Sequence, residues 1–130
     1  MKQFFVFACF VFALTSCQDD DDMSAFTCIS DQVGDTILLP DGSEGLTIDA
    51  IYQDNRCPCL TPCLVAGGVG IRLLSPTSDT LLIGVGDSTA PDSTLTYNGF
   101  NLRLRSVTHR EVCDYLELTQ SDYCAEFIWE

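Results

Sequence analysis

The sequence predicts an all-β fold, a compact antiparallel β-sandwich or barrel of about seven or eight short strands, stapled by disulfides. Three observations predict it. From Cys28 onward, apolar residues alternate with polar ones or cluster in short runs between turn signals, and no segment keeps a helical period. Asn98-Gly99, a dipeptide tolerant of positive φ, lies between two such runs and suits the type I′ turn of a hairpin. Of eight cysteines, Cys28, Cys57, Cys59, Cys63, Cys113 and Cys124 fall in this region, an even set that reads as a disulfide framework in an exported chain.

The elements follow in order. Met23 to Gln32 has weak periodicity and reads as an extended lead-in, stapled to the domain through Cys28. Thr36 to Pro40 is a short apolar run halted by Asp41-Gly42. Leu46 to Tyr52 alternates and reads as a strand with one buried face, followed by a loop rich in cysteine, proline and glycine over Asp54 to Gly68. Val69 to Leu74 and Thr80 to Val85 are further strands, joined to the next by a polar connection from Gly86 to Ser93. Leu95 to Tyr97 and Phe100 to Val107 form the Asn98-Gly99 hairpin. In its second arm Phe100, Leu102 and Leu104 alternate with Asn101, Arg103 and Arg105, so one face is apolar and the other wet. Asp114 to Thr119 and Tyr123 to Trp129 are expected to close the chain as a hairpin over Gln120-Ser121-Asp122.

The amino terminus is organised differently. Lys2 precedes an apolar run from Phe4 to Leu14, which has the length of a secretory h-region and falls short of the roughly 20 residues of a spanning helix. Leu14-Thr15-Ser16-Cys17 then resembles a bacterial lipobox. The resemblance implies a signal peptide over residues 1–16, a mature chain starting at a lipidated Cys17, and a membrane anchor of two or three acyl chains, since one chain holds only marginally. Gln18-Asp19-Asp20-Asp21-Asp22 reads as a solvated tether, so that residues 17–27 join the anchor to a β-domain over 28–130. Cysteine followed by this acidic run is also similar to the export signal of surface lipoproteins in one group of Gram-negative bacteria. That likeness implies the cell outer membrane and its outer leaflet, with the periplasmic face as the alternative.

Composition narrows the partners. The precursor carries a formal net charge of −13, and losing Lys2 makes the mature chain more negative, with arginine as its only fixed cation. Phosphate backbones require a basic face, so nucleic acid is not an expected partner. Acyl transfer needs a nucleophile, a base and an orienting group, and the single histidine, His109, is expected to be solvent-exposed beside Arg110 and Glu111. Asp31, Asp35, Asp41, Asp87 and Asp92 read as turn residues rather than as paired catalytic carboxylates, and Asp87-Ser88-Thr89 is too sparse for a calcium loop. No enzyme and no cofactor are expected.

Asp54 to Gly67 is the most individual segment. Three thiolates from Cys57, Cys59 and Cys63 would suit a soft metal ion, but the spacing is not that of a standard finger and no second cysteine pair follows. Cys57-Pro58-Cys59 lacks the Cys-x-x-Cys spacing of a redox site. A structural staple fits best. Pro58 and Pro62 stiffen the loop so that Cys57 and Cys63 can close a short ring; Cys59 would then seek a distant partner such as Cys28, leaving Cys113 with Cys124. Asp54 and Arg56 are expected to pair or to hold the turn through loop carbonyls.

The segment resembles small exported bacterial proteins that carry Asp-Ser-Arg-Cys-Pro, five residues between two cysteines, then Cys-x-Trp-Ala-Gly between β-strands. Asp54, Arg56, Cys57, Pro58, Cys63, Ala66 and Gly67 match in register, while Asn55 replaces serine and Val65 replaces tryptophan. The resemblance implies a small β-domain with a Cys57–Cys63 bridge and implies no activity. Function therefore reads as an envelope lipoprotein displaying a stapled β-domain in a binding or structural accessory role. An inhibitor or immunity-type protein is the alternative, presenting the Cys57–Cys63 loop with apolar Leu60 and Val65 to a partner enzyme; metal binding through Cys57, Cys59 and Cys63 is the second alternative.

Overall fold

The computed structural model describes residues 28–57, 64, 66–110 and 118–130. Their strands are β1 (Thr36–Ile37), β2 (Leu46–Asp54), β3 (Gly68–Leu74), β4 (Thr80–Gly86), β5 (Thr94–Tyr97), β6 (Phe100–His109) and β7 (Tyr123–Trp129). They form two antiparallel sheets, in the orders β1-β2-β3-β4 and β5-β6-β7. The sheets face each other as a sandwich because each supplies one apolar face. Leu46 and Ile48 of β2, Val69, Ile71 and Leu73 of β3 and Ile83 of β4 meet Leu102, Leu104 and Val107 of β6 in one core. Each such side chain contributes about 1.5–3 kcal/mol through burial.

Period-two alternation sets which side each residue takes. Arg72 and Arg103 point outward between buried neighbours, and Arg105 points outward beside buried Leu104. Asn98 and Gly99 both have positive φ, 51° and 83°, as a type I′ turn requires, and β5 pairs with β6 from Tyr97–Phe100 outward. β2 carries register shifts between Ile48 and Ala50 and between Ile51 and Gln53. The amide of Gln120 fills the gap this leaves at the strand edge. Its Oε1 accepts from the Ile51 N–H at 2.7 Å and its Nε2 donates to the Ile51 carbonyl at 3.1 Å, as a neighbouring strand would.

Two sequence expectations are corrected. β7 pairs with β6, from Leu102–Trp129 to His109–Tyr123; Gln120–Asp122 is a 3-10 turn leading into it, and Leu118 and Thr119, the described end of the expected first arm, lie outside any strand. β6 is ten residues long and central in its sheet, with β5 on one edge and β7 along the other. Residues 111–117, the greater part of the expected first arm, lie outside the described residues.

The second correction concerns the disulfides. Cys28 is bonded to Cys124, so it does not pair with Cys59, and Cys124 does not pair with Cys113. The lead-in runs beside β7, where Asp31 and Ala125 exchange backbone hydrogen bonds of 3.0 and 2.8 Å. That bridge brings the Cα atoms of Cys28 and Cys124 to 5.4 Å, inside the range a disulfide needs. Cys59, Cys63 and Cys113 fall outside the described residues.

Candidate functional site: the clamped neck of the cysteine loop

The loop after β2 leaves the sandwich at Asp54 and returns at Gly67, and both ends are fixed by side chains. On one side the guanidinium of Arg56 grips Asp54 with two bonds, Nε to Oδ1 at 2.9 Å and Nη2 to Oδ2 at 2.7 Å. The third nitrogen, Nη1, donates to the Val107 carbonyl of β6 in the other sheet. The Tyr123 hydroxyl of β7 adds a bond to the Asp54 carboxylate. The pair therefore stitches the two sheets together at the root of the loop. Both expected uses of Arg56 occur at once, pairing with Asp54 and bonding a carbonyl, although the carbonyl belongs to β6.

Asp54 is almost fully covered, its side chain 5% exposed against 24% for Arg56. Burial alone pushes its carboxyl upward, but the Arg56 hydrogen bonds and charge, with the Arg56 amide and the Tyr123 hydroxyl, outweigh this and hold it below the usual aspartate range.

On the other side a cycle of polar groups closes the neck. The Gly68 N–H donates to Asn55 Oδ1 at 2.6 Å, and Asn55 Nδ2 donates to Thr89 Oγ1 at 3.0 Å. Thr89 Oγ1 donates in turn to Asp87 Oδ1 at 2.6 Å, and the Gly67 N–H reaches Asp87 Oδ2 at 3.1 Å. The hydrogen bonds from Thr89 and the Gly67 amide keep the Asp87 carboxyl low. Asn55 supplies both an acceptor and a donor here, which the single hydroxyl of a serine is too short to do across the same gap. Gly67 has φ +68°, and a Cβ there would lie 2.0 Å from the Asn55 carbonyl oxygen, so the return point requires glycine.

Above the neck, Cys57 is disulfide-bonded, so its sulfur is not a thiolate ligand as the metal reading required. Leu64 is fully exposed. Leu60 and Val65, the apolar residues assigned to the loop tip, lie outside the described residues, as do the partner of Cys57 and the expected Cys57–Cys63 bridge. No group of three His, Cys, Asp or Glu side chains converges for a metal ion among the described residues.

The remaining sequence candidates are structural. Asp35 and Asp41 cap turns through the Gln32 and Ser43 amides, at 2.8 and 2.9 Å. Asp31 is instead part of the bridge to β7, where burial, then the nearby Asp35, raises its carboxyl. His109 is half-buried rather than solvent-exposed: it ends β6, lies edge-on to Tyr123 at 6.0 Å, and its Nδ1–H donates to the Arg110 carbonyl at 2.7 Å. All five arginines are held by carboxylates, Arg56 by Asp54, Arg72 by Asp49, Arg103 by Glu130, Arg105 by Glu126 and Arg110 by Asp122.

Sequence reasoning missed the glycines that flatten the outer face of the four-stranded sheet. Gly68 pairs with Gly86 and Gly70 with Gly84 across β3 and β4. The Tyr52 ring lies against Gly70, and Ala90 and Pro91 of the β4–β5 connection lie against Gly68 and Gly84. The alternation Gly68-Val69-Gly70 and Gly84-Val85-Gly86 was the available signal: glycine at neighbouring outward positions of two paired strands marks a patch that something else must cover.

No protein-family model, curated protein or solved structure matches the chain at a significant level.

Proposed function

We propose that the protein is an exported lipoprotein that displays its disulfide-stapled β-sandwich at the cell envelope as a binding or structural accessory module without catalysis. The observation that carries this reading is the neck of the cysteine loop. Asp54, Arg56, Asn55, Gly67 and Asp87 are all spent on holding the loop root against both sheets, and none is left as an acid, base or nucleophile in an open cleft. A root fixed in this way lowers the ordering cost of any contact the loop makes. The lipobox-like Leu14 to Cys17 and the acidic run after it support acylation at Cys17 and placement on the outer membrane, at the cell surface.

The inhibitor or immunity-type reading is favoured by one specific observation, the complete exposure of Leu64 on the loop. An apolar side chain presented on a clamped root is suited to entering a partner's cleft. The test combines labelling and shaving. Cells expressing the full chain are expected to incorporate palmitate in a manner abolished by Cys17→Ala, and external protease is expected to remove the domain from intact cells. An unacylated product, or a domain reached only after lysis, would contradict the proposal.

A further inference from the structure

The outer face of the four-stranded sheet carries an aromatic ring laid flat. A Cβ built on Gly70 would lie 2.5 Å from Tyr52 Cζ, 2.6 Å from Oη and 2.7 Å from Cε1. A ring approaching by its edge would bring Oη and Cε1 closer than the Cζ between them; with Cζ nearest, the contact is with the ring face. A strand Cβ stands normal to its sheet, so the ring lies face-down on Gly70 and parallel to the sheet, with its second face turned outward. Tyr52 is 39% exposed. Among the described residues no ring stacks on it, and its hydroxyl has no hydrogen-bond partner.

Beside this platform stands a set of donors and acceptors. Arg72 follows Gly70 by two residues on β3 and so projects from the same face, where Leu82, its partner on β4, is also exposed. Arg72 Nε donates to Asp49 Oδ2. Arg72 Nη1 and Nη2 and Asp49 Oδ1 have no further partner among the described residues, and both side chains remain open to solvent.

We propose that this face binds an uncharged polysaccharide, with one sugar ring stacked on Tyr52 and its hydroxyls bonded to Asp49 and Arg72. The chemistry of the face selects the ligand. The outward π-face is electron-rich and attracts the polarised C–H groups that one side of a pyranose presents as a flat surface. A sugar hydroxyl both donates and accepts, and the open carboxylate oxygen of Asp49 and the open N–H groups of Arg72 answer both halves. Asp49 and Arg72 cancel each other's charge, and a chain of net charge −13 repels an anionic ligand, so a neutral one meets no penalty. An extended peptide finds no backbone to pair with here, because β3 is bonded to a strand on each side. Naming the ligand rests on the binding-module reading and deepens it. It is independent of acylation at Cys17, since every residue of the site belongs to β2, β3 or β4.

The test is affinity electrophoresis of the detergent-solubilised full chain through gels holding soluble starch, mixed-linkage β-glucan or galactomannan, with chondroitin sulfate as the anionic control. At least one neutral polymer is expected to retard the chain, equally at low and high salt because the ligand carries no charge. Tyr52→Leu keeps an apolar cover on Gly70 but removes the π-face, and should weaken retention about tenfold, whereas Tyr52→Phe should keep most of it. Asp49→Asn and Arg72→Gln leave that cover untouched and should weaken retention as well; Arg103→Gln, on the other sheet, should not. Palmitate labelling at Cys17 is expected to be the same in all of these variants, so the anchor and the sugar site fail separately. No retardation by any of the three neutral polymers, retardation by chondroitin sulfate alone, or retention unchanged in both Tyr52→Leu and Arg72→Gln would each overturn the proposal.

Discussion

Asp54 and Arg56 carry more of the site than any other two residues, and their chemistry makes the account testable at pH. The Asp54 carboxyl titrates below its unfolded value of about 3.9. Its stabilising contribution is therefore fully present above that value and lost as pH falls through the lower folded one. At neutral pH, Asp54→Asn or Arg56→Met should destabilise by roughly 2–3 kcal/mol, because each leaves a covered charge or dipole without its partner. In urea denaturation the wild type should begin to converge on Asp54→Asn as pH drops below about 4, where the unfolded carboxyl takes up its proton, and do so fully once the native carboxylate is protonated at lower pH. Gly67→Ala makes a different demand, on the backbone. At φ +68° and with the Asn55 carbonyl in the way, it should cost at least about 1–2 kcal/mol in thermal unfolding.

At the level of elements, the parts written in local chemistry were legible and those written in long-range pairing were not. The β5–β6 hairpin could be read from Asn98-Gly99 and from the alternation of Leu102 and Leu104 with Arg103 and Arg105, since turn type and pleat are properties of neighbouring residues. The partner of β7 could not be read, because its apolar residues fit a hairpin over Gln120 to Asp122 as well as they fit β6. The pairing with β6, from Leu102–Trp129 to His109–Tyr123, is a property of the assembled sheet. Gln120 looked like an ordinary turn residue. Its amide in fact serves as a strand surrogate for Ile51, and Gln120→Ala should cost about 1–2 kcal/mol by leaving that strand N–H and carbonyl without partners; Gln120→Glu should recover less than half, having lost the donor. Of the site itself, the Asp54–Arg56 pair was visible from spacing, whereas Thr89 and Asp87, more than thirty residues from Asn55 and about twenty from Gly67, were joined to it only by the fold.

For the whole molecule, the Cys28–Cys124 bond fixes where the amino-terminal segment leaves the sandwich: beside the final strand, on the margin opposite β5. It spans a sequence separation of 96 residues, and constraining so long a loop in the unfolded chain stabilises by about 4.7 kcal/mol in the chain-entropy account. Cys28→Ser with Cys124→Ser should lower the unfolding free energy by about that amount, read from Trp129 fluorescence, with the lead-in freed first because Asp31–Ala125 is its other tie to β7. If acylation at Cys17 places the chain on a surface, this staple keeps the pull of the anchor from peeling the lead-in off the sheet. The most direct measurement is mass-spectrometric mapping of disulfide-linked peptides in unreduced protein from cells. The account predicts a Cys28–Cys124 linked pair and an oxidised Cys57; a free Cys28 or Cys124, either one joined to another cysteine, or a reduced Cys57 holding a metal ion would contradict it.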